Sequence, residues 1–369
     1  MNEQTDAEKL KHAARIAAKG VLGIKKKEKV LIITNPVHDA SEISKALYEA
    51  VLGCGGAPVL IYQPVKSQFD YAEESVIGAM EAEPDVVISI SVKKLGKDRK
   101  AILKPYKFGG ISYDSTLHYL LHGKKTIRSF WSPGITKDIF IRTIPLDYTR
   151  LKKECLRVKE HLDGAKAIHI FNKKGTDIKF NIEKRKALTD DGDFSLPGSG
   201  GNLPAGETFI SPEPGTGNGK IVFDGSLSLH DRDVIIKEPV CVDVAGGFAK
   251  KIYGGKEADQ LRKTLESACE KAMEIKKTGK FSKKMCEAYA KNTYNIGEIG
   301  IGLNPEAGIG GNLLEDEKAY NTCHLAIGYN YDDVPALIHL DGLITKPSIF
   351  IICKNGQKKE LMREGEILF

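Results

Sequence analysis

Val30-Leu31-Ile32-Ile33-Thr34, followed at once by Asn35-Pro36-Val37-His38, is the stretch that decides the fold of the first half of the chain. Five apolar or β-branched residues in a row suit a strand buried on both faces. Beyond it, Ser41 is placed to cap a helix whose Ile43, Leu47 and Val51 share one side and which Gly53 closes. The same alternation extends outward. Upstream, Asp6 can cap a helix carrying Leu10, Ala14, Ala17 and Val21 at helical spacing. Downstream come a strand at Val59-Leu60-Ile61-Tyr62, a helix over about 70–82, a strand at Val86-Val87-Ile88-Ser89-Ile90 and a fourth at Thr126-Ile127-Arg128-Ser129-Phe130. Strands separated by helices predict a parallel α/β sheet. A dinucleotide site in such a sheet needs a glycine-rich turn after the first strand. Residues 34–38 contain no glycine, so an NAD or FAD site is not expected.

The texture changes after a long amphipathic helix at about 146–163 (Leu151, Cys155, Val158, Leu162). Short strands dominate from there: Ala167–Phe171, Asp177–Asn181, Lys220–Phe223 and Val234–Ile236, with one clear helix at about 256–277. The reading is two domains: residues 1–163, an α/β domain with a parallel sheet and helices, and residues 164–369, a strand-rich α+β domain. A length of 369 residues fits two domains.

Composition narrows the function classes. Hydrophobic residues make up 41% and charged residues 28%, values of a globular protein and not of a disordered one. The net charge of +6 is spread along the chain, and the runs Lys25-Lys26-Lys27 and Lys93-Lys94 lack interleaved aromatics, so no nucleic-acid partner is expected. No apolar run reaches a membrane span and the N-terminus has no signal-peptide core, so a cytoplasmic protein without membrane contact is expected. The seven cysteines are odd in number and form no CxxC pair, which argues against disulfides and thiolate zinc sites. Two glycine-rich stretches are weak signals. Pro214–Lys220 has Pro214 where a phosphate loop needs glycine and Ile221 where it needs a hydroxyl, so it reads as a turn between strands. Gly308-Ile309-Gly310-Gly311 reads as a flexible loop or as a place where the backbone can approach a ligand.

Nine histidines are the scarce resource. His12, His118, His122, His161, His169 and His230 read as surface or structural, without an acidic or histidine partner at ligand spacing, and His38 lies after the first strand, where it could face a cleft. His339 and Asp341 differ: two apart on a strand, they share one face and offer a nitrogen and an oxygen donor side by side. His324 lies shortly before, in Cys323-His324-Leu325-Ala326-Ile327-Gly328-Tyr329-Asn330-Tyr331. Glu298 and Glu207 lie upstream among glycines.

Four motifs, NLPxGExF at 202–209, GEIGIGLNP at 297–305, CHLAIGxxY at 323–331 and IHLDG at 338–342, occur in this order. Together they resemble the M29 metallopeptidase family, the aminopeptidase T and aminopeptidase S group, most clearly over about 200–345. The resemblance implies that Glu207, Glu298, His324, Tyr331, His339 and Asp341 hold two divalent metal ions (Zn, Co, Mn or Mg). It implies a metallo-aminopeptidase: a metal-activated water removes the N-terminal residue of short peptides, in a homodimer with enclosed sites. The sequence departs from the family at Gly206, which replaces one of two adjacent glutamates, and at Leu314–Tyr320, which is longer than the usual acidic-Asn run. Glu317 in that run is the candidate general base. An M29-like branch of mononuclear non-haem Fe(II) ring-cleaving dioxygenases is the alternative. There iron is held at the positions matching His324, His339 and Asp341, two imidazoles and one carboxylate.

Overall fold

A computed structural model describes residues 5–67, 70–230, 232–277 and 282–368. The chain divides into two compact units, Met1–Lys152 with Asp190–Ala205, and Lys153–Thr189 with Gly206–Phe369. The expected boundary at 163 does not capture this division. The helix Tyr148–Asp163 spans it, and the chain later returns to the first unit to add the short strand Gly200–Asn202 beside Arg128–Pro133.

The first unit is the expected parallel sheet with helices. Its five strands run in the order Gly200–Asn202, Arg128–Pro133, Val86–Ser91, Lys29–Thr34, Ala57–Tyr62, every neighbouring pair parallel. Val86–Ser91 is buried along its whole length, and Leu31, Ile33 and Val87 pack with Val76, Ile77, Met80, Leu117 and Leu121. Local signals shift by a few residues. Thr5, not Asp6, caps the first helix through a reciprocal pair with Glu8, and the helix His38–Gly53 starts three residues before Ser41 with no side-chain cap. The glycine-free turn has a physical role. The Nδ2 of Asn35 donates to the carbonyls of Gln63 (3.0 Å) and Pro64 (3.1 Å), and its Oδ1 accepts from the Val92 amide at 2.8 Å. One side chain thereby fills the crevice at the carboxyl ends of three strands, where doubly wound sheets bind nucleotides.

The second unit is strand-rich, as expected. One eight-stranded sheet runs Phe248–Gly254, Val240–Ala245, Asn218–Phe223, Asp177–Asn181, Ala165–Phe171, Ser348–Cys353, Lys358–Arg363, Glu366–Ile367. A seven-stranded sheet runs Asp233–Ile235, Ser226–Ser228, His339–Thr345, Thr322–Gly328, Ile296–Gly302, Glu207–Ile210, Leu188–Asp190. Helices Lys256–Lys277 and Lys283–Asn292 pack on each other in the same unit. The stretch around Pro214–Gly217 is the predicted turn, leading into the strand Asn218–Phe223. Among the described residues no helix is long and apolar enough to cross a membrane.

Candidate metal centre

The site is written in the register of four strands. In antiparallel pairs, directly opposed residues project to the same face, and so do residues two apart on one strand. Glu207 opposes Gly302, Gly300 opposes His324, and both Glu298 and Asp341 oppose Ala326. His339 opposes Gly328. Glu207, Glu298, His324, His339 and Asp341 therefore share one face, and the small partners Gly300, Gly302, Ala326 and Gly328 leave room for them. At Gly300 the need is absolute, because an added Cβ would meet the His324 ring at 2.0 Å. Gly206 has φ +124° and abuts Asn304, so the backbone conformation accounts for glycine where the M29 pattern has glutamate.

The side chains converge. His324 Nε2 is 3.1 Å from Glu298 Oε1 and 3.5 Å from Glu207 Oε2. His339 Nε2 is 3.4 Å from Glu298 Oε2 and 3.3 Å from Asp341 Oδ1. Glu298, His324 and Asp341 each offer a ligand atom within 4.8 Å of the others, and so do Glu207, Glu317 and His324. His339 Nδ1 lies 3.1 Å from the Tyr329 carbonyl. That carbonyl fixes the proton on Nδ1 and leaves the Nε2 lone pair for a metal.

Electrostatics shape the same cluster. Burial pulls His324 down, but the Glu298 hydrogen bond and the charges of Glu207, Glu298 and Asp341 overcome it and lift it to about 9. His339 is likewise raised, against its burial, by Asp341 and Glu298. Burial pushes Glu298 up, and the imidazoles of His324 and His339 beside it more than reverse that, leaving it well below the usual range. Asp341 is lowered in the same way by His339 and His324. Glu207 Oε2, Glu298 Oε2, Asp341 Oδ1 and His324 Nδ1 are nonetheless buried without a hydrogen-bond partner. Buried carboxylate oxygens left so are costly. A cation coordinated by them relieves that cost, so the residues fit a divalent metal ion.

Tyr331 joins by its ring, whose centroid is 5.5 Å from that of His339 and 5.4 Å from that of Phe209. Tyr329 stands edge-on to it at 5.5 Å. Glu317, the candidate general base, is in contact with the Lys318 ammonium, and burial raises its carboxyl above the usual range against the pull of Lys318. Its neighbours are structural. Glu315 accepts the Gly308 amide at 2.7 Å, and Asp316 accepts those of Gly310 (2.8 Å) and Gly311 (2.9 Å), which folds the glycine loop back on the short helix Leu313–Asp316.

Lys318 is the residue that sequence reasoning missed. It is wholly buried, with Nζ 2.6 Å from Glu207 Oε1. A lysine in a charge run reads as solvated, and only the tertiary fold reveals otherwise. Three further histidines have partners that the sequence did not disclose: His169 Nε2 is 2.7 Å from Asp177 Oδ1 across a strand pair, and the rings of His118 and His122 lie 5.7 Å apart. His38 is exposed beside Asp39 and Glu42.

A family model described as "NicX: 2,5-dihydroxypyridine 5,6-dioxygenase" matches residues 135–326, just over half of the chain. The match takes in Glu207, Glu298, Glu317, Lys318 and His324 and ends before His339. A 2,5-dihydroxypyridine 5,6-dioxygenase of Pseudomonas putida is 25% identical over 171 residues, which span 46% of this chain and 42% of that protein. The structure of a 2,5-dihydroxypyridine dioxygenase from Pseudomonas putida KT2440 superposes with a TM-score of 0.72 at 17% identity, over 99% of this chain and 98% of that one. Wild-type AmpT from Thermus thermophilus superposes with a TM-score of 0.68 at 16% identity, over 99% of this chain and 100% of that one. The fold is thus shared with the M29 group, as the motifs implied. The aminopeptidase reading and its hydrolase class are corrected by the dioxygenase matches. The physical reason lies in the motifs, which build a metal cradle common to both chemistries. Lys318, buried against Glu207 and Glu317 in the same cluster, falls outside all four.

Proposed function

The chain belongs to the NicX family, described as 2,5-dihydroxypyridine 5,6-dioxygenase, and we propose on that premise that it is an iron-dependent dioxygenase opening an electron-rich, hydroxylated aromatic ring. The family match carries the reading. The donor set supports it: His324, His339 and Asp341 offer two imidazoles and a carboxylate, the combination of the mononuclear Fe(II) oxygenases. A ferrous ion held there would supply dioxygen activation and an anchor for a ring hydroxyl.

The chain's own residues do the rest. The Tyr329 carbonyl holds the His339 proton on Nδ1 and so aims Nε2. Glu298, between the two imidazoles, keeps both rings oriented. Phe209, Tyr329 and Tyr331 form an aromatic wall beside His339, against which a planar ring can stack and exclude water. Glu317, paired with Lys318, balances charge in this reading and is not the base.

The test is oxygen consumption. Protein loaded anaerobically with Fe(II) and then given oxygen and 2,5-dihydroxypyridine should consume one O2 per ring and bleach the aromatic absorbance. Folded, iron-loaded protein that takes up no oxygen with hydroxylated pyridines or catechols would sink the reading.

A further inference from the structure

The buried cluster contains two overlapping sets of donors. Glu298, His324 and Asp341 form one, and Glu207, Glu317 and His324 the other. The second set already encloses a cation, the ammonium of Lys318. Its Nζ is 2.6 Å from Glu207 Oε1 and touches the Glu317 carboxylate, with no exposure to solvent. Two carboxylates from separate elements closing on one point is what a metal ion demands of its ligands. Here a side chain meets the demand.

The placement is built into the backbone. The Lys318 amide donates to Glu315 O at 2.9 Å, and its carbonyl accepts the Asn304 amide at 2.9 Å, at the end of the strand Ile296–Gly302. Asp316 is tied to the glycine loop two residues upstream. The stem therefore enters the cluster from a fixed anchor. Glu207, 6% exposed, still presents Oε2 into the cluster with no hydrogen-bond partner, 3.5 Å from His324 Nε2.

We propose that Lys318 is a tethered substitute for a second metal ion: its ammonium occupies the Glu207–Glu317 half of the cluster, limits the centre to one ion, and on removal leaves a site for a second divalent cation. The proposal rests on the reading of His324, His339 and Asp341 as a single-ion site. A charge argument supports it. Removing one partner of a buried ion pair leaves an uncompensated charge. Two carboxylates freed of the Lys318 ammonium would recruit a divalent cation.

The experiment compares full-length wild type, Lys318→Met, and Lys318→Met with Glu207→Gln. Each is saturated with Mn2+, gel-filtered, assayed by elemental analysis and melted with and without Mn2+. The expected result is one equivalent in wild type, two in Lys318→Met with a larger Mn2+-induced rise in Tm, and one in the double variant. One equivalent in folded Lys318→Met, or two in wild type, overturns the proposal. If Lys318→Met folds only with Mn2+, the proposal stands, and if Mn2+ fails to restore it, the proposal falls. Wild type that binds no ion overturns the single-ion centre itself, a distinct failure.

Discussion

The imidazole of His324 lies against the backbone of Gly300, so close that a methyl group there would sit 2.0 Å from Nε2 and Cε1. The ring has no room to retreat, being buried completely between strands. Gly300→Ala should therefore turn the ring away from Glu298. Overpacking of this kind costs about 1–3 kcal/mol of stability, and displacing a ligand's orientation costs about 10–100-fold in metal affinity. Urea melts and metal titration by calorimetry read the two effects separately. Unchanged metal affinity in Gly300→Ala would show that His324 is not a ligand.

Metal removal should destabilise the second unit. Without a metal ion, Glu207 Oε2, Glu298 Oε2 and Asp341 Oδ1 lie buried with no hydrogen bond, 3.3–3.5 Å from imidazole nitrogens. A ligand that binds only the folded state stabilises by about 2.7 kcal/mol at 100 times its Kd. Fe(II) or Mn2+ should raise the Tm of wild type, and EDTA should reverse the rise. Asp341→Ala should abolish the metal-dependent part. A Tm indifferent to metal in wild type would count against the centre.

The first unit should show an acid-sensitive ion pair. Buried Arg128 donates through Nε to Leu22 O (2.6 Å) and through Nη2 to Gly23 O (3.2 Å), and its Nη1 and Nη2 grip Glu28 at 3.1 and 2.6 Å. Burial pushes the Glu28 carboxyl up, but Arg128 and the Lys25 amide outweigh it and hold it below its ordinary 4.5. A carboxyl lowered in the folded state adds stability above the unfolded value and loses it as pH falls through the folded one. Glu28→Gln should cost about 3–5 kcal/mol at pH 7 by stranding Arg128, and the gap from wild type should narrow below pH 4.5, by no more than about 1.4 kcal/mol per pH unit. Urea midpoints between pH 7 and 3.5 measure it. A gap constant with pH would reject the account.

How much of this was legible beforehand follows from what each signal depends on. The parallel strands could be read because Val30–Thr34 and Val86–Ile90 carry their burial in their own residue types. Gly200–Asn202 could not, since Gly-Gly-Asn carries no strand signal of its own. His339 and Asp341 were readable by strand alternation, and His324 and the two glutamates only through the motif order. The activity was misread because those motifs specify a cradle and leave open what fills it. Lys318 directly follows three acidic residues in the chain, so its burial is a tertiary fact.

Asn330 should act as the brace of the aromatic wall. Its Oδ1 accepts the amides of Asp332 (3.1 Å), Asp333 (2.8 Å) and Val334 (2.7 Å), and its Nδ2 donates to Asp333 Oδ1 at 3.1 Å. Arg185 grips the same turn through Asp333 at 2.8 Å. Asn330→Ala removes the shared acceptor, which should cost about 1–3 kcal/mol and loosen the carbonyl of Tyr329 that aims His339. Hydrogen exchange of residues 331–334 should accelerate and metal affinity should drop. Unaltered exchange would rule out the bracing role.

Tyr331 separates two roles by one oxygen atom. As a metal ligand, which the M29 pattern implies, it would act through its phenol. As part of the wall, it acts through its ring, which packs on His339 and Phe209 and is about half exposed. Tyr331→Phe keeps the ring and removes the oxygen, whereas Tyr331→Ala removes both. The wall predicts wild-type metal content and nearly unchanged ring opening in Tyr331→Phe. It also predicts that Tyr331→Ala retains its metal but binds the aromatic substrate at least tenfold more weakly, since stacking of this kind is worth about 0.5–1.5 kcal/mol beyond the area buried. Loss of metal in Tyr331→Phe would return the phenol to the ligand set.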